Sequence, residues 1–280
     1  MYRSAMRYCR AMTPSTHPPA TGYAPEFVAE ALDDALAHGA RVYGIAGLQG
    51  AGKSTLAAQM AALAGERGLK AVVLSIDDFY MGRRERLALG RHLHPLLATR
   101  GPPGTHDLRL ACGTLDALRE GRPTALPRFD KIADRRLPPS RWTRVPDAVD
   151  LVLLEGWFLK VPPEEPRALH QALNHLERES DPTGVWRAYC NSALAGYAPL
   201  WKRIDRLLFL QGPGFEVVPE WRWQQEKTLQ SSQPHRRAMD RRAVERFVLF
   251  FERVSRQAMR TLPAIAEHTL RIDAQRQPVA

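Results

Sequence analysis

A glycine-rich segment at residues 47–54 constrains this chain more than any other feature of its sequence. It consists of Gly47, Leu48, Gln49, Gly50, Ala51, Gly52, Lys53 and Ser54, which match the complete pattern GxxxxGK[ST]. An apolar run at 41–46 precedes it and a stretch with helical spacing at 54–64 follows it, so the segment joins a strand to a helix. Glycines in this position let successive backbone N–H groups point at a phosphate, and the helix N-terminus adds positive potential. The sequence therefore predicts a loop that binds the phosphates of a nucleotide.

We call residues 47–55, which end at Thr55, the phosphate loop. Lys53 is expected to bridge the β- and γ-phosphates of ATP, and the Ser54 hydroxyl to be a ligand of Mg²⁺. No NKxD stretch that would recognise guanine occurs in the chain, which argues against the Ras-type and translation-type GTPases.

The order of predicted elements is typical of an α/β fold. Apolar runs that indicate strands lie at 41–46, 70–76, 150–154, 206–210 and 270–272. Helical spacing predicts helices at 26–38, 54–64, 107–120, 166–178, 184–203, 219–230 and 240–261. Strands that alternate with helices favour a parallel sheet covered on both faces. We predict a three-layer sandwich around a mainly parallel sheet, formed by a single domain over 26–275 that follows a loose tail at 1–25.

Positive charge concentrates in one segment, residues 81–145. The chain has 40 Lys and Arg residues against 30 Asp and Glu residues, a net charge of +10, and this segment has 13 Arg and one Lys against six acids. Prolines gather there and the apolar periodicity weakens. Because a basic surface attracts anions, we predict an insertion that binds an anionic acceptor; a solvated basic surface is the alternative.

Hydropathy and cysteine usage bear on the compartment. No apolar run approaches the roughly 20 residues that a membrane span needs, so a soluble protein is expected. Cys9, Cys112 and Cys190 lie far apart without a CxxC pair, which favours reduced thiols in the cytoplasm over disulfides or a zinc site. Three arginines and no acid in the first 25 residues leave a targeting segment as the alternative. The sequence leaves the oligomeric state open.

Two aspartates follow the predicted strand at 70–76, in the sequence Ser75-Ile76-Asp77-Asp78-Phe79-Tyr80. Ligands of α/β sheets bind at the carboxyl ends of the strands, where a carboxylate can accept the proton of an attacking hydroxyl. We favour Asp77 as this base. For Asp78 we favour a cap of the next turn.

Glu155 ends the predicted strand at 150–154 and is followed by Gly156. A carboxylate at this position can reach Mg²⁺ or its water. Together with the phosphate loop and Asp77 it makes a coherent set of nucleotide, metal and base positions.

These motifs resemble those of the small-molecule kinases of the uridine kinase, phosphoribulokinase and pantothenate kinase group. Within that group the chain is most similar to the plant-type D-glycerate 3-kinases and their bacterial and fungal relatives. The matching stretches are GLQGAGKST (47–55), SIDDFY (75–80), RGPPGTHD (100–107), PRFDK with a following DR (127–135), LEGWF (154–158), LWKRID (200–205), WRWQQEK (221–227) and Met239-Asp240. They cover most of residues 41–255. One departure is 231–238, which lacks the glycine-containing turn that relatives usually have before the Met-Asp pair.

The resemblance implies a function and a set of roles. It implies the transfer of the γ-phosphoryl group of ATP to D-glycerate, with Asp77 as general base, Glu155 on the Mg²⁺ side and the basic insertion as the acceptor site. Glycerate carries one carboxylate and two hydroxyls. A guanidinium can clamp a carboxylate with two parallel hydrogen bonds. Candidates for binding the carboxylate are Arg100, Arg128, Lys131 and Arg135.

Three further residues of the insertion are candidates for the acceptor site. His106 and Asp107 are candidates for orienting the hydroxyls, and Asp130 for a substrate or metal contact. Structural alternatives stay open for each: a turn or cap for His106, a helix N-cap for Asp107 and an ion pair for Asp130.

A lid is expected at about 212–240. Arg222, which lies between two tryptophans on a predicted helix, is the candidate for a cation that closes on the γ-phosphate. A surface arginine stacked on tryptophan is the alternative.

Two other functions are weighed against the glycerate kinase. One is a kinase of the same fold for a nucleoside or a pantothenate-like alcohol. The other is a nucleotide-dependent protein that binds nucleic acid or has a regulatory role, which the excess of basic over acidic residues suggests. The charge lies beside the predicted active site without a recognised nucleic-acid module, which argues against the second.

Overall fold

A six-stranded sheet forms the centre of the computed structural model, which describes residues 22–232 and 239–279. The strands of the described part are β1 (Val42–Gly47), β2 (Ala71–Ser75), β3 (Thr124–Leu126), β4 (Phe129–Asp130), β5 (Arg135–Arg136), β6 (Thr143–Val145), β7 (Leu151–Gly156), β8 (Arg206–Gln211), β9 (His268–Ile272) and β10 (Pro278–Val279). The order in the central sheet is β10-β9-β8-β1-β7-β2, in which all neighbours are parallel except β9 and β10. The predicted mainly parallel sheet is confirmed.

Helices cover both faces of this sheet. The α-helices of the described part are α1 (Pro25–Ala37), α2 (Lys53–Glu66), α3 (Arg83–His92), α4 (Leu108–Arg119), α5 (His175–Ser180), α6 (Val185–Ala195), α7 (Ala198–Trp201), α8 (Val218–Ser232) and α9 (Arg241–Ile265). Short 3₁₀ turns lie at Ile76–Phe79, Pro95–Ala98, Pro139–Arg141, Pro166–Leu169 and Phe215–Val217.

The core divides into two layers because successive side chains of a strand point to opposite faces. In β1, Val42 and Ala46 belong to the cluster covered by α4 and by much of α9, whereas Tyr43 and Ile45 belong to the cluster covered by α1 and α2. Every residue of β1 and of β7 is buried. Two buried apolar layers on a parallel sheet confirm the predicted three-layer sandwich.

The basic insertion forms the long connection from β2 to β7. It contains α3, α4 and two small hairpins, β3 with β6 and β4 with β5. Helix α3 was not predicted, because a buried arginine rather than an apolar stripe anchors it. Arg86 is 1% exposed, donates to the carbonyl oxygens of Met81 and Ala98, and pairs with Asp134 at 2.7 Å.

Two predicted helices are broken in the structure. The single helix predicted at 166–178 is wrong: a 3₁₀ turn covers its start, and α5 begins only after Asn174, whose side chain accepts the Glu177 N–H at 3.0 Å. The helix predicted at 184–203 is divided into α6 and α7. Pro199 in the first turn of α7 explains the break, since proline has no N–H for a continuing helix.

The predicted tail and lid lie partly outside the described residues, namely at 1–21 and at 233–238. Tyr23 is buried and stacks on Phe27 with the ring centroids 4.9 Å apart. No helix among the described residues is long and apolar enough to span a membrane. Cys112 and Cys190 are free thiols, and Cys9 lies outside the described residues.

Candidate active site

The phosphate loop leaves the carboxyl end of the central strand β1 and enters α2 at Lys53. Gly50 and Gly52 have positive φ angles of 79° and 91°, which glycine adopts without strain. A Cβ at Gly50 would lie 2.7 Å from Cβ of Trp221, and one at Gly52 would lie 2.7 Å from the Tyr23 hydroxyl. Glycine is therefore required at both positions by backbone conformation and by space.

Lys53 is 7% exposed and folds back over the loop, where its Nζ donates to the Leu48 carbonyl oxygen at 2.9 Å. Burial lowers the pKa of Lys53, and the charges of Glu155 and Asp77 oppose that shift. The cation and the two carboxylates thus lie within electrostatic range of one another.

Ser54 and Glu155 come together because β1 and β7 are neighbours. Glu155 pairs in register with Ile45 of β1 and with Ser75 of β2. The Ser54 hydroxyl donates to Oε1 of Glu155 at 3.0 Å, and Glu155 is 8% exposed. Two oxygen groups suited to a hard cation therefore meet at the first turn of α2.

Asp77 lies just past β2, in the 3₁₀ turn Ile76–Phe79. Its Oδ2 is 2.5 Å from Nζ of Lys131, and its Oδ1 accepts the Tyr80 hydroxyl at 2.6 Å. Burial by itself would raise the pKa of Asp77, but the charge and hydrogen bond of Lys131 and the bond from Tyr80 hold the pKa below its usual range. Asp77 is therefore a carboxylate at neutral pH.

The neighbouring Asp78 has a different environment. Its Oδ2 caps the turn at Ser75 N and pairs with Arg128 at 2.9 Å, and its Oδ1 accepts the Phe129 N–H. Burial raises the pKa of Asp78, and the charge of Arg128 opposes that rise. These contacts tie the insertion to the end of β2, as expected for a cap.

The other residues predicted to bind the acceptor lie around Asp77 and Asp78, and they have different partners. Arg100 pairs with Asp134 at 2.8 Å and lies over the Phe129 ring. Arg135 is exposed on β5. Asp130 accepts the N–H groups of Ile132 and Ala133 at 2.9 Å, which shapes the turn before Asp134. Of the four cations proposed from the sequence, Lys131 is the one that contacts Asp77.

His106 is 2% exposed and lies in a ring of aromatic side chains. Its Nδ1 is 2.7 Å from the Tyr197 hydroxyl, and its Nε2 has no hydrogen-bond partner in the described part of the chain. Burial lowers the pKa of His106 to about 4, and the negative charge of Asp77 opposes that shift. The imidazole is therefore neutral at pH 7.

Asp107 is the N-cap of α4, since its side chain accepts the Leu110 N–H at 3.0 Å. Its other oxygen pairs with Arg136 at 3.1 Å. The helix N-cap, which was the alternative role considered for Asp107, is therefore present in the structure.

Arg222 lies in the first half of α8, directly after Trp221. Its guanidinium pairs with Glu226 at 3.3 Å, donates to Oε1 of Gln225 at 3.1 Å, and lies 6.0 Å from the centre of the Phe247 ring. In this structure Arg222 joins α8 to α9.

Sequence reasoning missed three residues that contact the site. Tyr80 belongs to the SIDDFY stretch, and its hydroxyl donates to Asp77, a contact that the motif alone does not indicate. Tyr23 and Arg276 lie at opposite ends of the described chain and donate to carbonyl oxygens of the phosphate loop. Neither belongs to a motif, so no local signal distinguishes them.

Known proteins similar to this chain are kinases. The uncharacterized kinase mug58 of Schizosaccharomyces pombe is 30% identical over 215 residues, which are 73% of this chain and 76% of that protein. The chloroplastic D-glycerate 3-kinase of Arabidopsis thaliana is 31% identical over 197 residues, 66% of this chain and 41% of that protein.

A solved structure shares the fold. The D-glycerate 3-kinase from Cryptococcus neoformans var. grubii matches with a TM-score of 0.72 and 23% identity, over 91% of this chain and 96% of that one. No family model matches the chain.

Proposed function

The chain belongs to the family of P-loop kinases that includes the D-glycerate 3-kinases, and we propose that it transfers the γ-phosphoryl group of ATP to D-glycerate, giving 3-phosphoglycerate. The family predicted from the motifs is confirmed by the relatives. The observation that carries the proposal is the meeting of Lys53, Glu155 and Asp77 at the carboxyl ends of β1, β7 and β2. The name of the plant relative supports glycerate as the acceptor.

Asp77 accepts the proton of the attacking hydroxyl in this proposal. The hydroxyl oxygen forms a bond to the γ-phosphorus while the bond from that phosphorus to the β–γ bridging oxygen breaks, and its electron pair leaves with ADP. The lowered pKa of Asp77 keeps it ionised at neutral pH, and it also makes the carboxylate a weaker base as long as Lys131 is paired with it. Lys53 neutralises charge on the phosphates.

Mg²⁺ fits the oxygen groups beside the phosphate loop. Among the described residues, no group of three or more His, Cys, Asp or Glu side chains could hold a metal by itself. Mg²⁺ in kinases is commonly held by one or two protein oxygens together with phosphates and waters. We therefore assign Ser54 and Glu155 as the residues that hold it with the nucleotide. When bound, the ion neutralises charge on the phosphate oxygens.

The basic insertion supplies the acceptor site. In this proposal Lys131 binds the carboxylate of the acceptor, because it lies next to Asp77 and is more than half exposed, so that it can also reach a second anion. Arg100 and Arg128 are held by Asp134 and Asp78, so an acceptor carboxylate would compete with these partners; Arg135 is exposed. The buried Nε2 of His106 offers a polar contact for an acceptor hydroxyl near Asp77.

Arg222 keeps its proposed role as the cation of the lid. It would have to exchange Glu226 for the γ-phosphate when the nucleotide binds. Trp221, next to it, packs on Gly50, so this part of α8 lies beside the phosphate loop.

One kinase domain over 26–275, to which the buried Tyr23 and the strand β10 also belong, and a cytoplasmic location complete the proposal. The two free thiols in the described residues support a reducing compartment.

The proposal is tested by the product. Purified protein is incubated with Mg-ATP and D-glycerate, ADP release is followed, and the product is identified by phosphorus NMR. We expect glycerate-dependent release of ADP and the signal of 3-phosphoglycerate. ADP release that D-glycerate does not change would exclude D-glycerate as the acceptor. A panel with glycerol, pantothenate and uridine would then identify the chemical class of the acceptor.

A further inference from the structure

The outer side of the phosphate loop is held by three side chains from distant parts of the chain. Tyr23 donates its hydroxyl to the Ala51 carbonyl oxygen, and Nε of Arg276 donates to the Gly50 carbonyl oxygen at 2.6 Å. Trp221 packs against Gly50, and the guanidinium of Arg276 lies 5.0 Å from the centre of the Trp221 ring. We call Tyr23, Trp221 and Arg276 the outer brace.

These bonds fix the directions of the N–H groups on the other side of the loop. Because a peptide unit is planar and trans, a carbonyl held on one side directs the following N–H to the opposite side. The bond to Ala51 thereby orients the Gly52 N–H. The bond to Gly50 orients the Ala51 N–H, which closes a turn on the Leu48 carbonyl at 3.2 Å.

Arg276 has a backbone conformation that its residue type disfavours. It lies in the turn between β9 and β10 with a φ of 63°, in the left-handed region that favours glycine or asparagine. The turn is closed by the Asp273 side chain, which accepts the Gln275 and Gln277 N–H groups at 2.8 Å. The turn itself therefore gives no reason for an arginine at position 276.

The side chain of Arg276 supplies that reason. Besides Gly50, it donates to Gln224 at 3.0 Å, so that it joins the phosphate loop to α8. An unfavourable backbone conformation kept at a position whose side chain contacts a binding loop points to a role in that loop.

We propose that Arg276 is a positioning residue that preorganises the phosphate loop for the β-phosphate of the nucleotide. The proposal rests on nucleotide binding by the loop and not on the identity of the acceptor. Arg276 acts through the Gly50 carbonyl and the Trp221 ring and does not itself bind the nucleotide.

The test compares ADP with AMP, which lacks the β-phosphate. Arg276→Gly and Arg276→Asn both suit a left-handed position, so the turn is retained while the guanidinium is lost. We expect ADP affinity, measured by calorimetry without acceptor, to fall about tenfold or more while AMP affinity changes little, because only ADP uses the preorganised cradle. Tyr23→Phe, which removes one hydroxyl of the outer brace, should lower the ADP-to-AMP preference in the same direction.

Two controls make the outcome specific. Lys160→Gly relieves another left-handed residue, with φ of 56°, away from the loop, and should leave ADP affinity unchanged. Arg276→Lys keeps the charge without the planar guanidinium, and should not restore the ADP preference.

Other results would overturn the inference. Equal losses for ADP and AMP would mean that Arg276 binds the nucleoside directly, and full rescue by lysine would mean that charge alone matters. Unchanged affinity with a lowered melting temperature would mean a purely structural residue. If the wild-type protein bound no ADP, the proposed kinase function would fail as well.

Discussion

Nζ of Lys131 lies 2.5 Å from Oδ2 of Asp77, while the Tyr80 hydroxyl occupies Oδ1 of the same carboxylate. Both oxygens of the proposed base thus contact donor side chains of this chain. Each oxygen of this carboxylate keeps a second lone pair that can accept the hydroxyl of the proposed acceptor, and a carboxylate on that acceptor would give Lys131 a second anion to bind. In the proposed function, an anionic acceptor that binds Lys131 would weaken the hold of Lys131 on Asp77 and so raise the basicity of that carboxylate.

Asp77→Asn is expected to lower kcat by about 10²–10⁴-fold, the usual contribution of a general base. ADP affinity should stay close to that of the wild-type protein, because Asp77 is proposed to bind the acceptor hydroxyl. Steady-state kinetics and calorimetry measure the two quantities. The matched control is Asp78→Asn, which removes the cap and the Arg128 pair and should lower the melting temperature while turnover persists. Equal turnover in the two variants would exclude Asp77 as the base.

Lys131→Met is expected to move the acidic limb of the kcat/KM profile to higher pH. In the wild-type protein the pKa of Asp77 is lowered, so the carboxylate stays ionised throughout the neutral range. Without Lys131, burial becomes the main influence and the pKa of Asp77 rises. Profiles between pH 5 and 8 measure the shift. Tyr80→Phe removes one hydrogen bond from the same carboxylate and should produce a smaller shift in the same direction; an unshifted profile in Lys131→Met would contradict the pairing.

His106 should make the fold less stable in acid. Its pKa is about 4 in the folded protein and near 6.5 when unfolded, so between these values the unfolded chain binds the additional proton. Stability therefore falls as pH drops through this window, by about 3 kcal/mol from this group when the window is fully crossed. Urea unfolding at pH 7 and pH 4.5 measures the loss. His106→Gln, which keeps a hydrogen-bonding group for Tyr197, should show a smaller difference between the two pH values.

Glu155→Gln is expected to raise the Mg²⁺ concentration for half-maximal activity by about 10–100-fold, since a neutral amide is a poorer partner for a hard cation. Affinity for metal-free ADP should change little. Titration of activity with Mg²⁺ at fixed ATP measures the requirement. Asp150→Asn is a suitable control, because Asp150 precedes the opposite end of β7 and accepts the Lys70 N–H at 2.8 Å. A Mg²⁺ requirement that changes equally in both variants would remove Glu155 from the metal site.

Sequence patterns predicted the nucleotide side of the site because its residues belong to contiguous segments at strand ends. Apolar runs located all five parallel strands of the sheet to within a few residues. Three of these runs are followed in the sequence by Lys53, Asp77 and Glu155, and in the structure these side chains lie within electrostatic range of one another. The pairing of Lys131 with Asp77 was not predictable, because it depends on how a hairpin of the insertion packs on the end of β2.

The failures have physical causes in particular residues. Helix α3 depends on the hydrogen bonds of the buried Arg86, which periodicity does not detect. The helix predicted at 166–178 ignored Asn174, a favourable N-cap inside the apolar pattern. Arg276 stood beyond the predicted end of the domain, and only the pairing of β10 with β9 brings it to the phosphate loop.

The basic insertion makes up most of the crossover between two adjacent parallel strands, β2 at the edge of the sheet and β7 beside it. Helix α4 of this crossover packs on the core, whereas the hairpin of β4 and β5 contacts the end of β2 through Phe129 and Lys131. Residues of this hairpin can therefore change without altering the core cluster that packs on β1 and β7. In the proposed function, substitutions in this one hairpin would change acceptor specificity while the phosphate loop and Glu155 stay as they are.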